Sequence, residues 1–137
     1  MTYTARCLCG GISLRLEGEL APIQICHCSQ CRQAQGGAFA ANIPVDASKV
    51  HVDSGTELMS EYEATPGKKR VFCRRCGSPI YSARENLPGV LRIRAGLITE
   101  PLAARPGFHM HVASKANWYE IHDGLPQHSQ GHVPPSP

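Results

Sequence analysis

A chain of 137 residues with a formal charge of +3 fits one domain with a modest core. Its scattered Lys and Arg form no basic arm, which speaks against nucleic acid as a partner. No stretch approaches the roughly 18 apolar residues of a membrane helix, and the start MTYTARCLCGG lacks a signal peptide's apolar run. The expectation is a cytoplasmic protein that does not engage a membrane. In that compartment seven cysteines, an odd number, argue for metal rather than disulfides.

Thirteen Gly, eleven Pro and few aromatic residues favour short strands joined by turns. Residues 2–17 read as a hairpin, with a turn at Cys9-Gly10-Gly11 and then Ile12, Leu14 and Leu16 alternating with Ser13, Arg15 and Glu17. A strand over 23–26 runs into Cys26-His27-Cys28-Ser29-Gln30-Cys31, where Ser29 is suited to cap a single helical turn that Gly36-Gly37 ends. Strands follow over 38–45, 50–53, 57–63 and 70–73, then 80–83, 90–98 and 109–113, in antiparallel spacing. Lys68-Lys69-Arg70, with Arg74 and Arg75 nearby, reads as a solvated turn. Residues 1–127 make the domain, and the polar, Pro-containing segment 128–137 reads as a flexible tail. No dinucleotide fingerprint, P-loop or nucleophile elbow is present.

The cysteines fall into three groups: Cys7 and Cys9; Cys26, Cys28 and Cys31; Cys73 and Cys76. Structural zinc takes four ligands, most readily from two short pairs brought together, and Cys7, Cys9, Cys73 and Cys76 supply them. Gly77 follows Cys76 where a zinc knuckle uses positive φ. Cys26, Cys28 and Cys31 are close enough to hold one ion with three ligands, leaving a fourth position for water or substrate, as in catalytic zinc sites. The alternative is a fourth histidine ligand: His27, His109 or His111. A redox C-x-x-C or an iron–sulfur cluster suits the grouping less well. Trp118, the one tryptophan, is expected in the core, and His122, His128 and His132 on the surface.

The run Cys7-Leu-Cys9-Gly10-Gly11, then Cys26-His-Cys28-Ser-Gln-Cys31-Arg32, then Phe72-Cys73-Arg-Arg-Cys76-Gly77-Ser78-Pro79, resembles the glutathione-dependent formaldehyde-activating enzyme (GFA) or CENP-V family. The likeness extends through His109-Met-His111, Ser114-Lys115 and Trp118 to Asp123-Gly124-Leu125-Pro126-Gln127; Asn117 stands where many relatives are expected to have proline. The resemblance implies an all-β, Mss-four-like β-tent of short antiparallel sheets stapled by two Zn²⁺, one structural and one catalytic, with the same four-and-three division of cysteines. It also implies a carbon–sulfur lyase that acts on glutathione, or a related thiol, and formaldehyde or another small electrophile. In that reading Arg32 and Lys115 meet glutathione carboxylates, and His109 or His111 moves the proton to the new hydroxyl. The competing readings are a zinc-stabilised binding module or thiol carrier without catalysis, and a thiol or zinc sensor.

Overall fold

Alternation along the first hairpin has the consequence that strand geometry requires: every second side chain points inward. The computed structural model of the chain describes residues 1–131. Strand β1 (Thr2–Arg6) pairs antiparallel with β2 (Ser13–Glu17), setting Tyr3 opposite Leu16 and Ala5 opposite Leu14. β5 (Val50–Ser54) adds to β2 and completes a three-stranded sheet.

The other strands are β3 (Ile23–Cys26), β4 (Ala40–Asp46), β6 (Met59–Thr65), β7 (Lys68–Cys73), β8 (Pro79–Arg84), β9 (Val90–Arg94) and β10 (Pro106–Met110). They form a second sheet in the order β10-β3-β4-β9-β8-β7-β6. One helix, α1 (Ser29–Gln35), lies between β3 and β4. The protein is thus mostly short strands in two sheets, and among the described residues no helix is long and apolar enough to cross a membrane.

The sheets meet through one apolar cluster. Tyr3, Ala5, Leu14 and Leu16 of the small sheet pack with Ile43, Val45, Val71 and Ile93 of the large one, all buried. Each buried Leu, Ile or Val in this cluster contributes on the order of 1.5–3 kcal/mol when withdrawn from water. The opposite face of the large sheet is different in kind. Register aligns Lys68 with Arg84, Arg70 with Ser82 and Ser82 with Arg92; Arg94 aligns with Asn42, and Asn42 with Gln24. Because residues i and i+2 share a face, these rows and Cys26 all lie on the side away from the apolar cluster.

Several expectations from sequence are corrected. β9 ends at Arg94 and continues as a 3-10 turn, Ala95–Leu97. β10 starts earlier than expected and stops at Met110, because His111 takes a left-handed conformation (φ 55°, ψ 38°) that turns the chain out of the sheet. β10 also runs parallel to β3, whereas the other strand–strand pairings among the described residues are antiparallel. Arg70 is buried at 8% exposure, so Lys68-Lys69-Arg70 is strand rather than solvated turn. Trp118 is 68% exposed, outside the core. The start of the expected tail is held against β10: the His128 N–H donates to His109 O at 2.9 Å, and the His111 N–H to Gln130 O at 3.0 Å. Residues 132–137, including His132, lie outside the described residues.

Gly55 sets how closely the β5–β6 connection approaches the cysteine turn after β1. It has φ 92°, and a Cβ there would meet backbone, the Gly11 carbonyl oxygen and Ile12 Cα, the latter at 2.6 Å. Gly36, which caps α1 at φ 68°, has open space around it. Gly55→Ala is expected to lower stability by more than about 2 kcal/mol in urea unfolding, and Gly36→Ala by only about 1 kcal/mol.

Candidate metal centres and the adjoining cleft

Two turns converge to make the first cluster. Cys7 directly follows β1 and Cys9 sits in the turn, while Cys73 closes β7 and Cys76 lies in the β7–β8 turn. Gly10 (φ 76°) and Gly77 (φ 80°) give each turn the left-handed residue it needs, as the sequence suggested for Gly77. The four sulfurs lie within 4.8 Å of one another. The Cys7–Cys9 separation is 3.5 Å and Cys9–Cys73 is 3.9 Å.

Disulfide sulfurs stand about 2.05 Å apart, so these are not bonded. A tetrahedral ion with metal–sulfur bonds of about 2.3 Å requires sulfur–sulfur edges of about 3.8 Å, and the cluster fits that requirement. Backbone N–H groups aim at the sulfurs as they do at thiolates: Ile12 donates to Cys7 at 3.2 Å and Gly11 to Cys9 at 3.4 Å. The Ser78 hydroxyl and backbone pull the Cys76 thiol down to about 5. The Gly11 N–H, with the Arg75 guanidinium, lowers Cys9, whereas burial raises Cys7.

The second cluster is local. Cys26 closes β3, Cys28 is the N-cap of α1 and Cys31 lies in its first turn, all three sulfurs within 4.8 Å. The cap is Cys28, not Ser29: its extended backbone (φ −64°, ψ 155°) lets Sγ accept from the Cys31 N–H at 3.3 Å. Cys26 and Cys31 sulfurs are 3.3 Å apart. Hydrogen bonds from Cys26 and Cys28, helped by the Arg70 guanidinium at 3.8 Å, hold Cys31 far below the usual thiol range, and Cys28 and Cys31 push Cys26 up. Among the described residues no histidine or carboxylate joins this cluster.

The histidines go elsewhere. His109 Nε2 meets both oxygens of Asp123 at 3.0 and 3.1 Å, and His109 Nδ1 meets His27 Nε2 at 2.8 Å. With a carboxylate at one end the tautomers follow: His109 donates from Nε2, accepts at Nδ1 from the His27 Nε2–H, and leaves His27 Nδ1 a bare acceptor. That nitrogen is buried without a partner among the described residues. Burial brings His27 down to about 4, so it is a neutral imidazole at pH 7. The pair ties the backbone between Cys26 and Cys28 to β10 and the Asp123 loop.

A cleft of about 560 Å³ opens beside Cys28. Gln30, Thr65, Lys68, Arg84 and His111 contribute to its walls, with exposed Glu85 at the rim. Burial keeps His111 below the usual imidazole range. Of the residues singled out from sequence, Cys28 and His111 meet at this cleft. Lys115 instead donates to the carbonyl oxygens of Ala116 and Tyr119, and Arg32 sits on α1 outside the cleft lining. Lys68, Arg84 and Asp123 went unremarked as site residues. Spacing carried a signal for some of them, since Lys68-x-Arg70 and Arg92-x-Arg94 have the strand period that puts cations on one face.

Residues 2–114 match the family described as glutathione-dependent formaldehyde-activating enzyme, GFA. The chain belongs to the GFA family. A Schizosaccharomyces pombe protein described as an uncharacterized lyase is 31% identical to this GFA chain over 84 residues, 61% of the chain and 59% of that protein. The chain therefore spans less than two thirds of that relative's length. A crystal structure of a Rhodobacter sphaeroides protein superposes with a TM-score of 0.62 at 22% identity, covering 77% of this chain and 98% of that one. At that identity the likeness is one of fold, and it shows that the GFA chain shares this arrangement of sheets with a solved protein.

Loss of the carboxylate that anchors a buried imidazole pair should be measurable. Asp123→Ala is expected to cost about 1–3 kcal/mol in urea unfolding. Glu120→Ala removes a carboxylate from the exposed pair with His122 and should stay within about 0.5 kcal/mol.

Proposed function

We propose that the protein is a zinc-dependent carbon–sulfur lyase that acts on glutathione, or a related thiol, and formaldehyde or another small electrophile. Membership of the GFA family supports the reaction class. The observation that carries the reading is the cleft beside Cys28, where three clustered sulfurs have no fourth donor among the described residues.

In this reading Cys7, Cys9, Cys73 and Cys76 hold one Zn²⁺ in a closed tetrahedron that ties β1 to the β7–β8 turn. Cys26, Cys28 and Cys31 hold the other, with the fourth position reached from the cleft. Zn²⁺ bound there supplies the Lewis acidity that keeps a thiol deprotonated at neutral pH. The protein's own groups do the rest. The Cys31 N–H donates to Cys28 Sγ and the Arg70 guanidinium to Cys31 Sγ, and the Asp123–His109–His27 chain fixes the segment that carries Cys26 and Cys28. His111 faces the cleft as a neutral imidazole and gives a proton-transfer group for the oxygen of the hydroxymethyl product. His109 is a positioning residue, since both its nitrogens are engaged. A cleft of this volume falls within the range of small-ligand sites and is suited to a tripeptide-sized thiol.

The test is metal analysis with glutathione binding on the parent and two variants. The parent should carry about two zinc ions per chain. Cys28→Ala should retain one, keep its fold and lose glutathione binding. Cys73→Ala should unfold or aggregate, because a structural zinc site contributes on the order of 10 kcal/mol to folding. Unchanged glutathione affinity in Cys28→Ala would remove the thiol-site reading, and binding without turnover in the parent would make the protein a carrier.

A further inference from the structure

The face of the large sheet beneath α1 carries Lys68, Arg70, Arg84, Arg92 and Arg94, brought together by strand register. Arg70, Arg92 and Arg94 are each less than one tenth exposed. Buried cations are ordinarily paired with carboxylates, because a lone charge away from water is costly. Here, among the described residues, none of the five has an Asp or Glu oxygen within 4.0 Å.

Their partners are neutral. Arg92 donates to Gln24 Oε1 at 3.1 Å, and Arg94 donates to Asn42 Oδ1 and to Ser82 Oγ, the latter at 3.5 Å. Among the described residues, Arg70 Nη1 and Arg94 Nε are buried with no partner. Burial lowers Lys68 and Arg92, and brings Arg94 down to about 10, as expected for cations short of counter-charge. Cys31 Sγ, 3.8 Å from Arg70, is the nearest group able to carry negative charge. Three thiolates around a divalent ion have one net negative charge, against five positive ones on the face. Lys68 and Arg84 bring that surplus to the cleft wall, next to Cys28.

Resting on the reading of this centre as a thiol site, we infer that it selects its thiol by charge: it takes thiols that carry anionic groups near the sulfur and discriminates against neutral and cationic ones, with Lys68 and Arg84 as the residues that read the charge. A thiol bound at the three-cysteine centre would displace a metal-bound water and release its own proton to solvent, so each carboxylate on the ligand would add negative charge beyond that of the sulfur. Glutathione satisfies the rule through its carboxylates, but the rule does not require a peptide.

The experiment uses the full chain loaded with Co²⁺ and follows sulfur-to-metal charge-transfer absorption while four thiols are titrated: cysteamine, 2-mercaptoethanol, 3-mercaptopropionate and mercaptosuccinate. A neighbouring ammonium makes a thiol more acidic and a neighbouring carboxylate less so; acidity alone therefore ranks cysteamine first. The inference expects the reverse order, with mercaptosuccinate at least about tenfold tighter than 2-mercaptoethanol, equivalent to about 1.4 kcal/mol. In Lys68→Met/Arg84→Met that ratio should fall below about threefold, with the thiol-free cobalt spectrum unchanged as the check that the sulfur sites are intact. Equal affinities, the acidity order, or a ratio that survives the double substitution would overturn charge selection while leaving the thiol site standing. Succinate competing as well as mercaptosuccinate would overturn it too, since charge would then be bound without sulfur. No spectral response to any thiol would remove the thiol-site reading and this inference with it.

Discussion

Everything in this fold depends on bringing four sulfur atoms from two turns into one small volume. Cys9 and Cys73 are 64 residues apart in sequence, and their meeting fixes the β1–β2 hairpin against the β7–β8 turn. Four thiolates at these separations would repel one another, and a cation held among them would make the contact favourable. Supporting contacts converge on the same junction: the Leu8 N–H donates to Ser78 Oγ at 2.9 Å, and the Arg74 N–H to Leu58 O at 2.8 Å. With the junction closed, the small sheet covers the apolar face of the large one, leaving the other face to α1 and the second cysteine cluster.

That division gives the large sheet two chemistries separated by one residue of register. Val71 and Ile93 point into the core, and their neighbours Arg70, Arg92 and Arg94 point the other way. A one-residue slip would bury guanidinium groups among Leu and Ile and turn apolar side chains toward the cysteines. Register is thus specified from both faces, which explains how a sheet with short strands keeps a single pairing. The second cluster inherits its surroundings from this geometry, since Cys26 lies at the end of β3 on the cationic face.

Much of this was legible in the chain. Cysteine grouping alone separates the four-sulfur set from the three-sulfur set, because ligand pairs and triplets at short spacing are local and independent of the rest of the fold. The hairpin was equally plain from Leu14 and Leu16, and Gly77 from the geometry of a knuckle. What could not be read were features set by non-local register. Lys68-Lys69-Arg70 has the composition of a turn, and only the pairing of β7 between β6 and β8 reveals that Arg70 is interior. Parallel pairing of β10 with β3 leaves no local mark, nor does the docking of Gln127 and His128 beside His109. Trp118 shows the limit of residue-type averages, for its neighbour Ala116 is the buried one. The cap of α1 was missed because sulfur competes with a hydroxyl for the same backbone N–H, and the residue with extended backbone wins.

The pairing of β10 with β3 also bears on how the protein is made. Residue 26 takes its final neighbours from residue 110, so the backbone bearing the three-cysteine cluster is not fully constrained until most of the chain has left the ribosome. Contacts of such sequence separation slow folding, because a long loop must close before they are rewarded. During that interval seven thiols are exposed to oxidants and to stray metal ions, and the thiols themselves are local enough to capture an ion early. The order of events at the ribosome exit therefore matters for this chain: a triplet that binds before β10 arrives would have to accept the parallel strand around a centre already formed.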